Sequence, residues 1–168
     1  MCIRDSSIDC VLRVGPLTDS RLIARTVGEL PLINVASPAY LARHGVPMRP
    51  DDLPSHLAVR YASPSSGRVE DWEWVDKGEV RTIPMRGRVI VNSAEAYIAA
   101  CLAGLGLIQI PAYDVKAHLR AGELVEVMPE HRAQSLPMAL LYPHRQHLSR
   151  RLQLFADWLD ALLRREIL

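Results

Sequence analysis

Three short apolar runs in this chain each stop at a helix-start signal, and that pairing constrains the fold more than any other feature. Residues 32–36 (LINVA) run into Ser37-Pro38, an N-cap followed by a proline suited to the first helical position. Residues 89–91 (VIV) run into Asn92-Ser93-Ala94-Glu95, where a cap stands three residues ahead of a glutamate, the spacing of a capping box. Residues 107–110 (LIQI) run into Pro111. Strands that feed helices in this way predict an α/β fold with largely parallel sheets.

The remaining segments fit that frame. Residues 8–14 (IDCVLRV) read as a buried strand that stops at Gly15-Pro16. The helix PAYLARH stops at Gly45. Residues 57–61 read as a short strand. Residues 72–75 and 80–83 flank Asp76-Lys77-Gly78-Glu79 as the two arms of a hairpin, with the second arm running on towards residues 89–91. After Asn92-Ser93, the residues Tyr97, Ile98, Cys101, Leu102 and Leu105 share one helical face, and Gly104 and Gly106 end that helix. The helix opened by Pro111 closes at Gly122, and strands succeed it at 124–128 and 136–142. Ser149 is placed to cap a last helix with Leu152, Phe155, Leu159 and Leu162 on its packed side.

Composition narrows the function classes. Hydrophobic residues make up 49% and charged residues 23%, an ordinary globular balance with a sizeable core. The net charge is +1 and the arginines are scattered, so no basic patch is marked out for a phosphate backbone. No apolar run approaches the roughly 20 residues that span a bilayer. Cys2, Cys10 and Cys101 form no CxxC pair, which points to a reducing cytoplasm rather than a disulfide framework.

Tests for catalytic and metal chemistry return little. Gly104-Leu105-Gly106 comes after a helix and precedes a strand, the reverse of a dinucleotide loop, so a helix end with a tight turn is the better reading. His144 and His147 are three apart but have no partner ligand at metal spacing. Asp71 and Glu73 share a strand face and read as solvated carboxylates. No GxSxG elbow is present. The expectation is no catalysis, no cofactor and no metal. The position that stands out is Asn92-Ser93, where the free N–H groups of a helix start make an anion site. A purely capping role for both residues stays open beside it. Gly15-Pro16-Leu17, just past a strand, is a second candidate pocket wall, since open α/β sheets take ligands beyond strand carboxyl ends.

Four stretches in order resemble one family. They are residues 8–30 (IDCVLRVGPLTDSRLIARTVGEL), 30–47 (LPLINVASPAYLARHGVP), 89–130 (VIVNSAEAYIAACLAGLGLIQIPAYDVKAHLRAGELVEVMPE) and 136–159 (LPMALLYPHRQHLSRRLQLFADWL). Together they resemble the effector-binding region of LysR-type bacterial transcriptional regulators. Residues 1–7 resemble it poorly.

The resemblance implies a periplasmic-binding-protein-like (type 2) fold of two α/β lobes. Residues 8–30 would be part of the first lobe, 31–131 the second, and 132–168 the return to the first. A small-molecule effector would lie between the lobes, against Arg13, Gly15 and Leu17 on one side and Val91, Asn92, Ser93, Ile110 and Pro111 on the other. The family often carries Asp at the position of Ser93; serine leaves the helix end without that charge, which favours a carboxylate-bearing effector. The resemblance further implies a homodimer or homotetramer in the full-length protein, with DNA contacted through a winged helix-turn-helix upstream. The first lobe is expected to be incomplete, with residues 8–14 as an open, association-prone edge. A solute-binding protein of a transport system, on the same fold, is the alternative.

Overall fold

The computed structural model describes residues 10–15, 22–64, 66–143 and 150–166. It divides into two compact units, Met1–Leu30 with Ser135–Leu168, and Pro31–Gln134.

Among the described residues the first unit is built on three strands, β1 (Val11–Val14), β2 (Leu22–Leu30) and β10 (Leu136–Pro143), in the order β1-β10-β2. Both pairings are antiparallel. The expected largely parallel arrangement therefore does not hold here, because the strand that returns late in the chain inserts between the two early ones. The register slips between Met138 and Ala139, which face Gly28 and Thr26 and leave Val27 as the extra residue. Val27 is buried. Such a bulge sharpens local twist and re-aims one side chain. Here it turns Val27 into a core with Leu30, Met138, Leu140, Ala156 and Leu163.

That core is closed by helix α4 (Arg150–Glu166). Its packed stripe is Leu152, Ala156, Leu159 and Leu163, at helical spacing. Phe155, expected on that stripe, is instead 41% exposed and stacks at a tilt on Trp158. The packed face is centred one residue later because Ala156, too small to stand out in the sequence, is the fully buried position. Residues Ile8 and Ser149, read as strand start and helix cap, lie outside the described residues.

The second unit has a central sheet. Strands β3 (Leu32–Ala36), β8 (Ile108–Pro111) and β9 (Val125–Glu126) lie in the order β8-β3-β9, with β3 antiparallel to both neighbours. Strand β4 (Arg60–Tyr61) pairs in parallel with β7 (Ile90–Val91). The residues leading into β4 lie along Leu107 in parallel: Val59 N–H donates to Leu107 O at 3.0 Å, and Leu107 N–H to Leu57 O at 2.9 Å. The order thus runs β7-β4-β8-β3-β9, with β3 alone running against the rest.

Alternate residues supply two cores, as a strand's period of two requires. Ile33, Val35, Ile108 and Ile110 face helix α2 (Ala94–Leu102), through Tyr97 and Cys101, and Val115 and Leu124. Ala36, Leu107 and Val127 face helix α1 (Pro38–His44), through Tyr40, and Leu53, Trp72 and Met85. Ser37 caps α1 as the sequence indicated, its hydroxyl accepting from Tyr40 N–H, and Gly45 ends it with φ +82°.

The hairpin of β5 (Trp72–Asp76) and β6 (Glu79–Ile83) turns through Lys77 and Gly78 alone, both with positive φ, the two-residue turn whose twist matches paired strands. Asp76 and Glu79 pair across it, and the second arm stops at Ile83 rather than running on into β7. Leu105, expected on the packed face of α2, is 39% exposed because the helix already ends at Leu102. The segment after Pro111 is a 3-10 turn (Ala112–Val115) and then the short helix α3 (Lys116–Arg120), rather than one continuous helix.

A Cβ at Gly106 would lie 2.7 Å from Ala58 C and 2.8 Å from both Leu57 O and Val59 N. Gly106→Ala is therefore expected to destabilise the second unit by about 1–3 kcal/mol, the usual cost of overpacking, seen as a lower urea midpoint. In the first unit, Leu163→Ala should cost about 2–5 kcal/mol, whereas Phe155→Ala should cost well under half of that in the same assay.

Candidate functional site

Strands β4, β7 and β8 run in one direction, so their carboxyl ends, Tyr61, Val91 and Pro111, share one edge of the second unit. The residues just past each strand decide the chemistry there. After Val91 come Asn92 and Ser93, and Ser93 is the N-cap of α2. Its hydroxyl accepts from Ala96 N–H at 3.3 Å and its carbonyl from Tyr97 N–H at 3.1 Å. The N–H groups of Ala94 and Glu95 come earlier in the turn, where a helix has no intrahelical acceptor. The cap thus falls one residue later than the capping-box spacing suggested. Glu95 becomes the second helical residue instead of the third, too early to reach back to its own cap. Asn92 is exposed.

Aromatic and acidic side chains gather at the same edge. Tyr61 lies 5.2 Å, ring to ring, from Tyr97. Glu70 N–H donates to Tyr61 O at 2.9 Å, which brings Glu70 to the end of β4. Asp114 stands in the 3-10 turn after β8. Burial, then Glu70 and Glu95, raise the Tyr61 hydroxyl above its ordinary range. Surrounding protein, then Glu73, raises the Glu70 carboxyl, although the side chain keeps contact with solvent. Burial also raises Asp114, opposed by a hydrogen bond from Tyr113 and reinforced by Glu95. Carboxylates act on all three groups: Glu70 and Glu95 on Tyr61, Glu73 on Glu70, and Glu95 on Asp114. Among the described residues no group of three or more His, Cys, Asp or Glu has the arrangement of a metal site.

The model of the LysR substrate binding domain matches residues 3–164. The chain belongs to the LysR substrate-binding domain family. It is 44% identical over 162 residues to YhjC, an HTH-type transcriptional regulator of Escherichia coli K12, covering 96% of this chain and 54% of that one. Full-length AphB, a virulence activator of Vibrio cholerae, superposes with a TM-score of 0.75 at 31% identity, covering 92% of this chain and 51% of that one. The CrgA regulatory domain of Neisseria meningitidis superposes with a TM-score of 0.75 at 27% identity, covering 93% of this chain and 76% of that one. The fold is accordingly the periplasmic-binding-protein-like one of LysR regulatory domains. The chain spans about half the length of the curated relatives it matches. These relatives are regulators and not transport proteins, so the solute-binding alternative is not favoured.

In this LysR-family domain the positions singled out from sequence fall into two groups. Val91, Asn92, Ser93 and Pro111 come together at the strand-end edge of the second unit. Ile110 is at the same edge, but its side chain is 2% exposed and packs in the α2-side core, so only its backbone is placed to face a ligand. Arg13 and Gly15 belong to the first unit. Arg13 is exposed on β1 opposite Ala139, and Gly15 is buried with φ +97° and donates its N–H to Pro137 O at 2.8 Å. Leu17 lies outside the described residues, as do His144 and His147. Cys101 is fully buried and desolvation pushes its thiol up to about 12, which keeps it protonated.

Tyr61, Glu70, Glu95 and Asp114 were not singled out as site residues. Their common signal is positional: each lies at or soon after the end of a parallel strand, where α/β sheets present their loops.

The cap assignment separates two neighbouring residues by experiment. Ser93→Ala should cost about 1 kcal/mol of stability by losing the Ala96 bond. Asn92→Ala should leave the thermal midpoint unchanged, since Asn92 is not the cap; equal losses in both variants would contradict the geometry.

Proposed function

We propose that this chain is the small-molecule sensor of a LysR-type transcriptional regulator, without catalytic activity or cofactor of its own. The family match over residues 3–164, together with 44% identity to an HTH-type regulator, carries the reading. The effector binds at the strand-end edge, on Val91, Asn92, Ser93 and the backbone of Ile110 and Pro111. The family resemblance adds Arg13, Gly15 and Leu17 as further candidate effector contacts. Binding shifts the balance between two arrangements of the domain, and the shift can be no larger than the effector's difference in affinity for them. In the full-length, cytoplasmic protein, a homodimer or homotetramer, a helix-turn-helix passes that shift to DNA. This chain itself contributes no DNA contact, in keeping with its net charge of +1.

The effector carries a carboxylate held by the N–H groups that open α2. The acidic surroundings support a second feature. Glu70, Glu95 and Asp114 favour an ammonium or other cationic group on the same molecule, so an amino-acid-like zwitterion suits the edge better than a simple acid.

A thermal-shift screen of this chain against small monocarboxylates, amines and amino acids tests the reading. Amino-acid-like compounds should raise the melting temperature most. Ser93→Ala should weaken their binding about fivefold, the effect of losing about 1 kcal/mol of helix-end interaction. An effector whose affinity is untouched by both Asn92→Ala and Ser93→Ala would place the site elsewhere. Sequence-dependent, salt-resistant gel shifts with this chain alone would refute the absence of DNA contact.

A further inference from the structure

Behind α1, on the face of the second unit away from α2, a tyrosine and a histidine are buried together. Tyr40 is fully buried and His56 is 4% exposed. The Tyr40 hydroxyl accepts the backbone N–H of Leu57 at 2.8 Å and lies 3.2 Å from His56 Nδ1. A phenol has one proton. With its oxygen already accepting from Leu57, that proton is free for one acceptor, and His56 Nδ1 is the one in reach. Nδ1 must then be unprotonated, which puts the ring's proton on Nε2 and keeps the ring neutral.

We propose that the relay from Leu57 N–H through the Tyr40 hydroxyl to His56 Nδ1 is an acid-released latch, closed only while His56 is neutral, that holds the segment Pro50–His56 against α1. A proton on Nδ1 would face the Tyr40 proton. The hydroxyl could then accept from both neighbours, but its own hydrogen would lose its partner inside the core, and an unsatisfied buried donor is costly.

The surrounding groups give the latch its direction. From α1, His44 stacks on Tyr40 with ring centroids 4.5 Å apart and opposes a positive charge on His56. From the segment itself, Asp52 favours that charge, but its carboxylate is already engaged by Met48 N–H at 2.9 Å and Arg49 N–H at 3.1 Å. From the stretch before β7, Arg86 donates to Pro54 O at 2.8 Å and so holds the segment from its other side. Burial is the largest influence, and with His44 it holds His56 below the ordinary histidine range. A histidine depressed in this way contributes stability that is present above the ordinary imidazole range. That stability is lost as pH falls through the folded-state value. The latch lies apart from the proposed effector edge, so it stands or falls independently of the effector reading.

Ring ¹⁵N NMR of this chain, with thermal melts of wild type and His56→Gln between about pH 7.5 and 5, tests it. The expected result is an Nε2-protonated tautomer at the upper pH and a titration midpoint below that of a free imidazole. The wild-type melting temperature should fall by several degrees more than that of His56→Gln, whose amide oxygen accepts from Tyr40 without titrating. An Nδ1-protonated tautomer at the upper pH, or parallel melting profiles, would overturn the proposal. If His56→Gln does not fold, the tautomer and midpoint in the wild type decide it alone.

Discussion

Two amides, the buried Asn34 on β3 and the half-buried Gln109 on β8, tie the layers of the second unit to one another. Gln109 Nε2 donates to Asn34 Oδ1 at 2.8 Å and to Glu73 O at 2.7 Å, while its Oε1 accepts Glu73 N–H at 2.9 Å. The side-chain amide thus takes the place of a neighbouring strand's peptide group and bonds β5 to the sheet. Asn34 Nδ2 in turn donates to Met128 O at 3.2 Å and His131 O at 2.9 Å, closing the loop after β9. On the other face, Gln109 N–H donates to the Tyr97 hydroxyl at 3.2 Å, so the same residue also sets the position of α2. A network of this kind stabilises only when complete. Replacing one amide by an apolar side chain would leave several buried donors and acceptors without partners, at roughly 1–3 kcal/mol each.

That network explains what was legible in the sequence and what was not. Local signals transferred well where the chain decides its own conformation. Ser37-Pro38 and Gly45 bound α1, and Lys77-Gly78 turns the hairpin. They failed where a neighbour decides. In LINVA and LIQI, Asn34 and Gln109 look like polar interruptions of a buried strand, and nothing local says that they face each other across β3 and β8. The α4 stripe was misplaced for a related reason: packing rewarded the small Ala156 beside the sheet, while periodicity drew attention to the larger Phe155. Strand–helix alternation predicts largely parallel sheets, with the hairpin as a mixed element, and it gives no sign of where a strand late in the chain will insert. The chain instead crosses between two units, and the returning β10 pairs antiparallel with both of its neighbours.

The candidate site divides along the same line. Asn92 and Ser93 were visible because a cap is a local motif. Glu70 and Asp114 were not, since they are 25 and 19 residues from Glu95 in sequence and reach the same edge only through the parallel arrangement of β4, β7 and β8. Their arrival changes the electrostatic argument. Serine in place of an aspartate at position 93 removes a negative charge from the start of α2, which by itself favours an anionic ligand. The structure puts charge back within the first turn: Glu95 stands there, where a carboxylate is stabilised by the helix end, and its charge acts on both Tyr61 and Asp114. The dipole of a nine-residue helix amounts to about half a charge, and its effect fades within a turn. Glu70 and Glu95 act on Tyr61, and Glu95 acts on Asp114, from the same edge. The helix end therefore favours an anionic group chiefly in direct contact with the Ala94 and Glu95 N–H groups. A ligand that pairs its carboxylate with a positive group meets favourable charge at both ends. It also relieves the carboxylate repulsion that, added to burial, holds Glu70 and Asp114 above their ordinary range.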